Sequence, residues 1–134
     1  MILIDAGPMV AALDRDDQHH SACAEAMEGI RGPLLTVWPA VAEAVYLLTG
    51  LPDAQQTLLR NVESGTPRLA QLDATDIPRI CELMRKYGDR PMDLADAALV
   101  RVAERERIDT VFTVDRGDFE VYRPSGIGRF TILP

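Results

Sequence analysis

Short apolar runs alternate along the chain with longer segments whose apolar residues recur every three or four positions. The short runs predict buried strands, and the longer segments predict helices with one core-facing side. The predicted strands are residues 1–5, 33–37, 67–72, 110–114 and 129–133, and the predicted helices are residues 8–13, 19–29, 39–48, 53–63, 76–87 and 94–107. This alternation predicts an α/β fold with a small central parallel sheet flanked by helices.

Two of the predicted strands end in an aspartate. Asp5 closes the first strand and Asp115 follows the strand that begins at Thr110. In open parallel sheets, ligand sites form outside the carboxyl ends of the strands, so both side chains are expected at one edge of the sheet. The alternative is ordinary loop chemistry, because aspartate is common after a strand, and for either residue taken alone that interpretation is the more frequent one.

Glu43 is the only charged residue between Thr36 and Thr49. An ionised carboxylate in an apolar interior costs several kcal/mol or more unless its pKa rises or a cation neutralises it. A metal ion would supply that neutralisation. The alternative, equally weighted on this residue alone, is a helix whose Glu43 faces water.

Two further aspartates lie at the start of the helix predicted from residue 94. Asp93 is well placed as an N-cap, and Asp96 could simply be an acid in the first turn. The helical repeat nevertheless places Asp96 on a core-facing side. Its neighbours on that side are Met92, Leu99, Val100 and Ala103. Carboxylates crowded in this way need a divalent cation to stay ionised, and a set without histidine or cysteine suits Mg²⁺.

Four segments carry a resemblance to PIN-domain ribonucleases of the VapC toxin kind. They are MILID followed by Ala6-Gly7-Pro8, Glu43 in its apolar helix, MDLADA at 92–97, and TVDRGDF at 113–119. The resemblance runs nearly end to end, so a single PIN-like domain is expected over residues 1–134. It implies a three-layer α/β/α architecture.

The resemblance also implies which residues bind metal. In the family, the acids that match Asp5, Glu43, Asp96 and Asp115 hold one or two Mg²⁺ or Mn²⁺ ions. Asp5 and Asp96 are then the primary ligands, Asp115 a second or water-mediated ligand, and Glu43 a ligand or the residue that orients the attacking water. The family often has Ser or Thr where this chain has Gly7. Secondary candidates are Asp93, Thr113 and Asp118, of which Thr113 would be the hydroxyl residue left in the site.

The implied activity is hydrolysis of RNA phosphodiester bonds by a metal-activated water, as the toxin component of a toxin–antitoxin system. A small antitoxin protein would mask the site with an Arg or Lys, and a homodimer is expected. There are three alternatives. A phosphatase of the haloacid-dehalogenase type is disfavoured, because it needs a second Asp at the position of Gly7. A DNA-directed nuclease stays open because no residue can be assigned to a 2′-hydroxyl contact. A metal-binding PIN-fold module that binds RNA or DNA without a toxin role also stays open.

Composition and charge modify this picture only slightly. The chain has 134 residues, and its 14 basic and 21 acidic residues give a net charge of −7. The four proposed ligands contribute −4 of that excess, leaving −3. No apolar run approaches the about 18 residues of a membrane span, so a cytoplasmic protein is expected. Cys23 and Cys81 are expected to be buried thiols, and His19 and His20 surface residues.

Overall fold

Five short strands and seven helices make up the computed structural model, which describes residues 1–134. The strands are β1 (Ile2–Ile4), β2 (Leu34–Thr36), β3 (Arg68–Leu69), β4 (Thr110–Phe112) and β5 (Thr131–Leu133). The helices are α1 (Ala6–Leu13), α2 (His20–Gly29), α3 (Trp38–Leu47), α4 (Pro52–Glu63), α5 (Ile77–Lys86), α6 (Leu94–Glu106) and α7 (Arg116–Val121). A 3-10 turn at Ala74–Asp76 precedes α5.

All strand pairs are parallel, and the order across the sheet is β3-β2-β1-β4-β5. Strand β1 pairs with β2 on one side and with β4 on the other, with Leu3 opposite both Leu35 and Val111. The chain therefore changes direction across the sheet between β1 and β4. Ligands of open α/β sheets bind at such a switch point. The predicted α/β fold with a small parallel sheet is confirmed.

The hydrophobic core is one cluster of 32 buried residues. Its largest fully buried side chains are Tyr122, Phe112 and Phe119. Helix α6 is buried around most of its circumference from Ala95 to Ala103, because small and branched apolar residues let it pack against both α3 and α5. Asp96 therefore lies within a central helix, and not merely on the inner face of a surface helix.

The helix α7 and the 3-10 turn are absent from the predicted elements. Helix α7 has only six residues, with Gly117 second, which is too short for a helical repeat to be recognised. Its fully buried Phe119 holds it to the core. Helix α1 begins at Ala6, earlier than predicted, because Asp5 caps it.

The expectation of two buried thiols is wrong for one of them. Cys23 is buried in α2, but Cys81 is exposed on α5, whose outer side is polar. Neither cysteine is in a disulfide. No helix of the structure combines the length and the apolar character needed to cross a membrane.

Candidate metal centre

The structure brings four acids from four different elements to the switch point of the sheet. Asp5 follows β1, Glu43 lies in α3, Asp96 in α6, and Asp115 follows β4. Burial is the main cause of the raised pKa values of Asp5 and Asp96, and their neighbours' charges add to it: Asp115 and Glu43 act on Asp5, and Asp5 and Asp115 act on Asp96. The predicted acids are thus neighbours, although up to 110 positions separate them in sequence.

Asp5 is the most deeply buried of the four, with 2% of its surface exposed. Its Oδ1 accepts a hydrogen bond from the backbone N–H of Ala6 at 2.8 Å, and its Oδ2 accepts one from the Thr113 hydroxyl at 3.0 Å. Burial raises the pKa of Asp5 to about 7, against the lowering effect of both hydrogen bonds. The carboxylate is therefore held in place but poorly solvated when it is charged.

Thr113 joins the ends of β1 and β4. Its hydroxyl donates to Asp5, and its Oγ1 also accepts a hydrogen bond from the backbone N–H of Asp115 at 3.0 Å. The side chain is buried, with 1% exposed. Of the three secondary candidates, Thr113 is the one whose side chain hydrogen-bonds the carboxylate of a proposed ligand.

Asp96 is also buried, with 8% of its surface exposed. Its Oδ2 accepts a hydrogen bond from the Tyr122 hydroxyl at 2.7 Å. Burial raises the pKa of Asp96 to about 8, and the charges of Asp5, Asp93 and Asp115 add to that rise. Two buried acids with strongly raised pKa values at a switch point are the pattern of a functional site.

Asp93 caps α6, as the sequence predicts. Its Oδ1 accepts a hydrogen bond from the backbone N–H of Asp96 at 2.8 Å. The side chain is exposed, yet its charge raises the pKa values of Asp96, Glu43 and Asp115. Asp93 is thus a helix cap at the edge of the acidic cluster.

Glu43 and Asp115 lie in a more open setting than Asp5 and Asp96. With Asp5 they line a cleft of about 430 Å³. Glu43 is half-buried and Asp115 is exposed. Desolvation raises the pKa of Glu43, and the charges of Asp93 and Asp115 add to it. Desolvation also raises the pKa of Asp115, and the charge of Asp118 adds to it.

The apolar sequence around Glu43 does not place that residue in a fully apolar interior. Several apolar residues of α3 lie at the surface, namely Trp38, Tyr46 and Leu47. Neither of the two equally weighted interpretations holds in full, because Glu43 is half-buried and part of its apolar helix faces outward. Glu43 is instead positioned at the wall of the cleft.

Two histidines have different positions from those expected. His19 lines the cleft with Asp5, Glu43 and Asp115. The half-buried His20 has its Nδ1 2.6 Å from the carbonyl of Ala11 and belongs to the packing between α1 and α2. Nothing in the sequence around residues 14–19 signals that this loop returns to the site.

Gly7 and Asp118 take smaller parts in the site. A side chain at Gly7 would collide with a γ-methyl group of Val114, so a Ser or Thr hydroxyl does not fit there without rearrangement. Asp118 lies in α7, where one of its oxygens is 3.6 Å from Arg90. It contributes charge near Asp115 but does not line the cleft.

The donors of this cluster fit a hard divalent cation. They are carboxylate oxygens supported by hydroxyl groups, which is the ligand type that Mg²⁺ and Mn²⁺ prefer. No three acidic, histidine or cysteine side chains are arranged closely enough to ligate one ion together. Mg²⁺ commonly takes one or two protein carboxylates and retains several waters.

Comparison with known proteins gives the same fold and a related sequence. The PIN domain family matches residues 2–123. Ribonuclease VapC26 of Mycobacterium tuberculosis is 35% identical over an alignment of 136 residues, which covers 99% of this chain and 100% of that protein. The resemblance drawn from four sequence segments is thereby confirmed.

Three solved structures share the architecture. VapC20 of Mycobacterium tuberculosis, a Sarcin-Ricin loop cleaving toxin, superposes with a TM-score of 0.79 at 16% identity and covers 88% of this chain and 94% of its own. FitAcB of Neisseria gonorrhoeae gives 0.66 at 18% identity, with coverages of 98% and 97%. VapBC2 of Rickettsia felis, bound to a DNA fragment from its promoter, gives 0.65 at 14% identity and covers both chains completely. At these identities the likeness shows the fold.

Proposed function

The chain belongs to the PIN-domain family, and on that premise we propose that it is a divalent-metal-dependent endoribonuclease, the toxin of a toxin–antitoxin pair. The observation that carries the proposal is the buried pair Asp5 and Asp96, whose pKa values burial raises to about 7 and about 8 at the switch point of the sheet. Such carboxylates are stable in the charged form only beside a cation. The 35% identity to Ribonuclease VapC26 along the whole chain supports RNA as the substrate.

Each residue has a role in this proposal. Asp5 and Asp96 bind one or two Mg²⁺ or Mn²⁺ ions, and Asp115 binds directly or through water. A bound ion supplies acidity to a coordinated water and positive charge against the scissile phosphate. Glu43, at the wall of the cleft, orients the attacking water and accepts its proton. Thr113 holds Asp5 in place through its 3.0 Å hydrogen bond.

We also propose that residues 1–134 form a single PIN-like domain, which is supported by the one contiguous core of 32 buried residues. The protein acts in the cytoplasm as a homodimer. The exposed apolar residues at the end of α3 and in the turn that leads to α4, namely Tyr46, Leu47 and Leu51, support a partner or second copy on that side.

The decisive experiment is cleavage by the purified protein, freed of any partner, of labelled RNA and DNA with the same sequence. We expect cleavage of RNA with Mg²⁺ or Mn²⁺ and none with EDTA. Asp5→Asn, which keeps the shape of the side chain, should abolish cleavage. Preferential cleavage of DNA would show that DNA, and not RNA, is the substrate. A folded wild type that cleaves neither nucleic acid would overturn the proposal.

The partner is proposed to inhibit by placing an Arg or Lys in the cleft lined by Asp5, Glu43 and Asp115. A concave acidic site focuses negative potential, which attracts such a cation. The cation and Mg²⁺ would compete, so partner affinity should fall along a Mg²⁺ titration at constant ionic strength. Truncating the basic residue should cost about 2–5 kcal/mol, because the carboxylates are left unpaired. An affinity that Mg²⁺ leaves unchanged would place the inhibitory contact elsewhere.

A further inference from the structure

Tyr122 is a fully buried residue whose hydroxyl points at the acidic cluster. Its side chain is 0% exposed, and its hydroxyl donates to Asp96 Oδ2 at 2.7 Å. The ring is fixed by edge-to-face contacts with Tyr87, at a centroid distance of 5.0 Å, and with Phe119, at 5.1 Å. The hydroxyl therefore has little freedom to move away from Asp96.

The contact determines how Asp96 can present its oxygens. The backbone N–H of Asp96 is fixed by the Asp93 cap at 2.8 Å, so the start of α6 is fixed at that point. The side chain of Asp96 can still rotate about its own bonds, and rotation of the carboxylate would exchange the two oxygens. A hydrogen bond from Tyr122 to Oδ2 selects one orientation and keeps Oδ1 free of that donor.

We propose that Tyr122 is a positioning residue: its hydroxyl fixes one oxygen of Asp96 and leaves the other to bind the divalent ion. The inference rests on the proposed metal-dependent function. Partners that hydrogen-bond a metal ligand orient it, and their loss typically lowers metal affinity or activity by about 10–100-fold. Tyr122 touches the reaction only through Asp96.

A purely structural role makes a different prediction. A buried tyrosine hydroxyl needs a hydrogen-bond partner, and Asp96 could serve only as that partner. Tyr87 provides the matched control, because it is buried in the same aromatic group and its hydroxyl accepts from the backbone N–H of Arg123 at 2.9 Å. Both hydroxyls are satisfied in the core, and of the two only the Tyr122 hydroxyl contacts an acid.

The experiment compares Tyr122→Phe with Tyr87→Phe, since each keeps its ring and loses one hydroxyl. Mn²⁺ affinity is measured by titration calorimetry and the Mn²⁺ environment by electron paramagnetic resonance, with kcat and KM for RNA cleavage in parallel. We expect Tyr122→Phe to weaken Mn²⁺ binding and lower kcat, each by about tenfold or more, with little change in KM. Tyr87→Phe should lower the melting temperature to a similar extent and leave Mn²⁺ binding and kcat unchanged.

Wild-type Mn²⁺ affinity and an unchanged spectrum in Tyr122→Phe would overturn the inference. If the wild type binds Mn²⁺ but cleaves no RNA, and Tyr122→Phe weakens that binding, the proposed function fails and the positioning role stands. If the wild type binds no Mn²⁺, both fail.

A measurement on the wild type covers the case in which Tyr122→Phe does not fold. Mg²⁺ added to the wild type should change the near-ultraviolet absorbance of a buried tyrosine. The same change should persist in Tyr46→Phe and in Tyr87→Phe, because Tyr122 is the tyrosine that remains in both. Loss of the signal in Tyr87→Phe, or no signal in the wild type, would overturn the assignment to Tyr122.

Discussion

At the scale of single residues, the acids of the cluster have two functions at once. Asp5 caps α1 through Oδ1 and accepts from Thr113 through Oδ2. Asp93 caps α6 and raises the pKa of the buried Asp96. Removal of an acid can therefore act through the helix or through the charge, and only paired substitutions separate the two effects.

Asp96→Asn should abolish RNA cleavage, whereas Asp93→Asn should retain most of it. Asn is an adequate N-cap, so the second change leaves α6 capped and removes only an exposed charge. The first change removes a proposed ligand at nearly constant volume. Cleavage rates and thermal denaturation of both variants test this expectation. Full activity of Asp96→Asn would show that Asp96 is not a metal ligand. Equal losses of activity in both variants would indicate that Asp93 is a ligand as well.

Gly7→Ser should destabilise the protein by about 1–3 kcal/mol, because its Cβ would overlap the γ-methyl group of Val114. Val114→Ala should relieve that overlap, so the double variant should be less destabilised than the sum of the two singles. Urea denaturation of the four proteins in this cycle measures the coupling. Gly117→Ser is the control, since a Cβ added at Gly117 would meet no atom within 4 Å. Additive effects at positions 7 and 114 would contradict the expected contact.

The four clustered acids can be predicted from the sequence because each follows a strand or interrupts an apolar helical pattern. Neither Tyr122 nor His19 carries a sequence signal that places it near the cluster. Tyr122 follows a helix too short to show a repeat, and its role depends on a contact with Asp96, which lies 26 positions away. His19 reaches the cleft through a polar loop, whose path is set by tertiary packing.

At the scale of elements, α7 links two parts of the cluster. Asp115 is its N-cap and Tyr122 its C-cap. The fully buried Phe119 anchors the helix, with edge contacts to Tyr122 and to Phe130 at centroid distances of 5.1 and 5.6 Å. A loss of packing in the middle of α7 should therefore displace Asp115 at one end of the helix and, through Tyr122 at the other end, Asp96 as well.

Phe119→Leu should lower the free energy of unfolding by about 1–2 kcal/mol and also weaken Mn²⁺ binding, because both ends of α7 lose their anchor. Val121→Leu, at an exposed position of the same helix, should change neither quantity appreciably. Chemical denaturation and Mn²⁺ titration report the two effects separately. A destabilised Phe119→Leu variant with unchanged Mn²⁺ affinity would show that α7 does not transmit packing to the acids.

The main elements followed from apolar patterning, but their lengths did not. The strand expected at 67–72 shrinks to Arg68–Leu69, since only residues that pair with β2 are held as strand. Sheet pairing depends on partners distant in sequence, whereas helix caps such as Asp93 depend on neighbours. Local signals therefore located α6 closely and β3 only roughly.

At the scale of the whole molecule, the buried acids make folding depend on protonation. The pKa values of Asp5 and Asp96 rise from a usual value of 3.8 to about 7 and about 8 in the folded protein. At a pH between 3.8 and these raised values, the unfolded chain has released protons that the folded protein still holds. Stability is therefore greatest below the unfolded pKa and falls as pH rises through the folded pKa values.

Asp5 and Asp96 should accordingly make the melting temperature of the EDTA-treated protein decrease as the pH is raised from about 4 to about 8. Mg²⁺ should reduce the fall, because an ion that binds only the folded state stabilises it more as the carboxylates ionise. Asp5→Asn removes one of the two groups and should flatten the EDTA curve. Differential scanning calorimetry across this pH range measures the wild type with EDTA, the wild type with Mg²⁺, and Asp5→Asn with EDTA. If Asp5→Asn leaves the EDTA curve unaltered, the raised pKa of Asp5 is contradicted.

The hydrogen bond between Thr113 and Asp5 joins residues 108 positions apart, and this separation has a consequence in time. A ribosome that adds about 5–20 residues per second needs about 5–20 s to proceed from Asp5 to Thr113. Throughout that interval the nascent chain lacks Thr113 and Asp115. On the proposed function, the hydroxyl that holds Asp5 in place thus reaches the growing chain many seconds after the acid that it holds, so the complete site is a late product of synthesis.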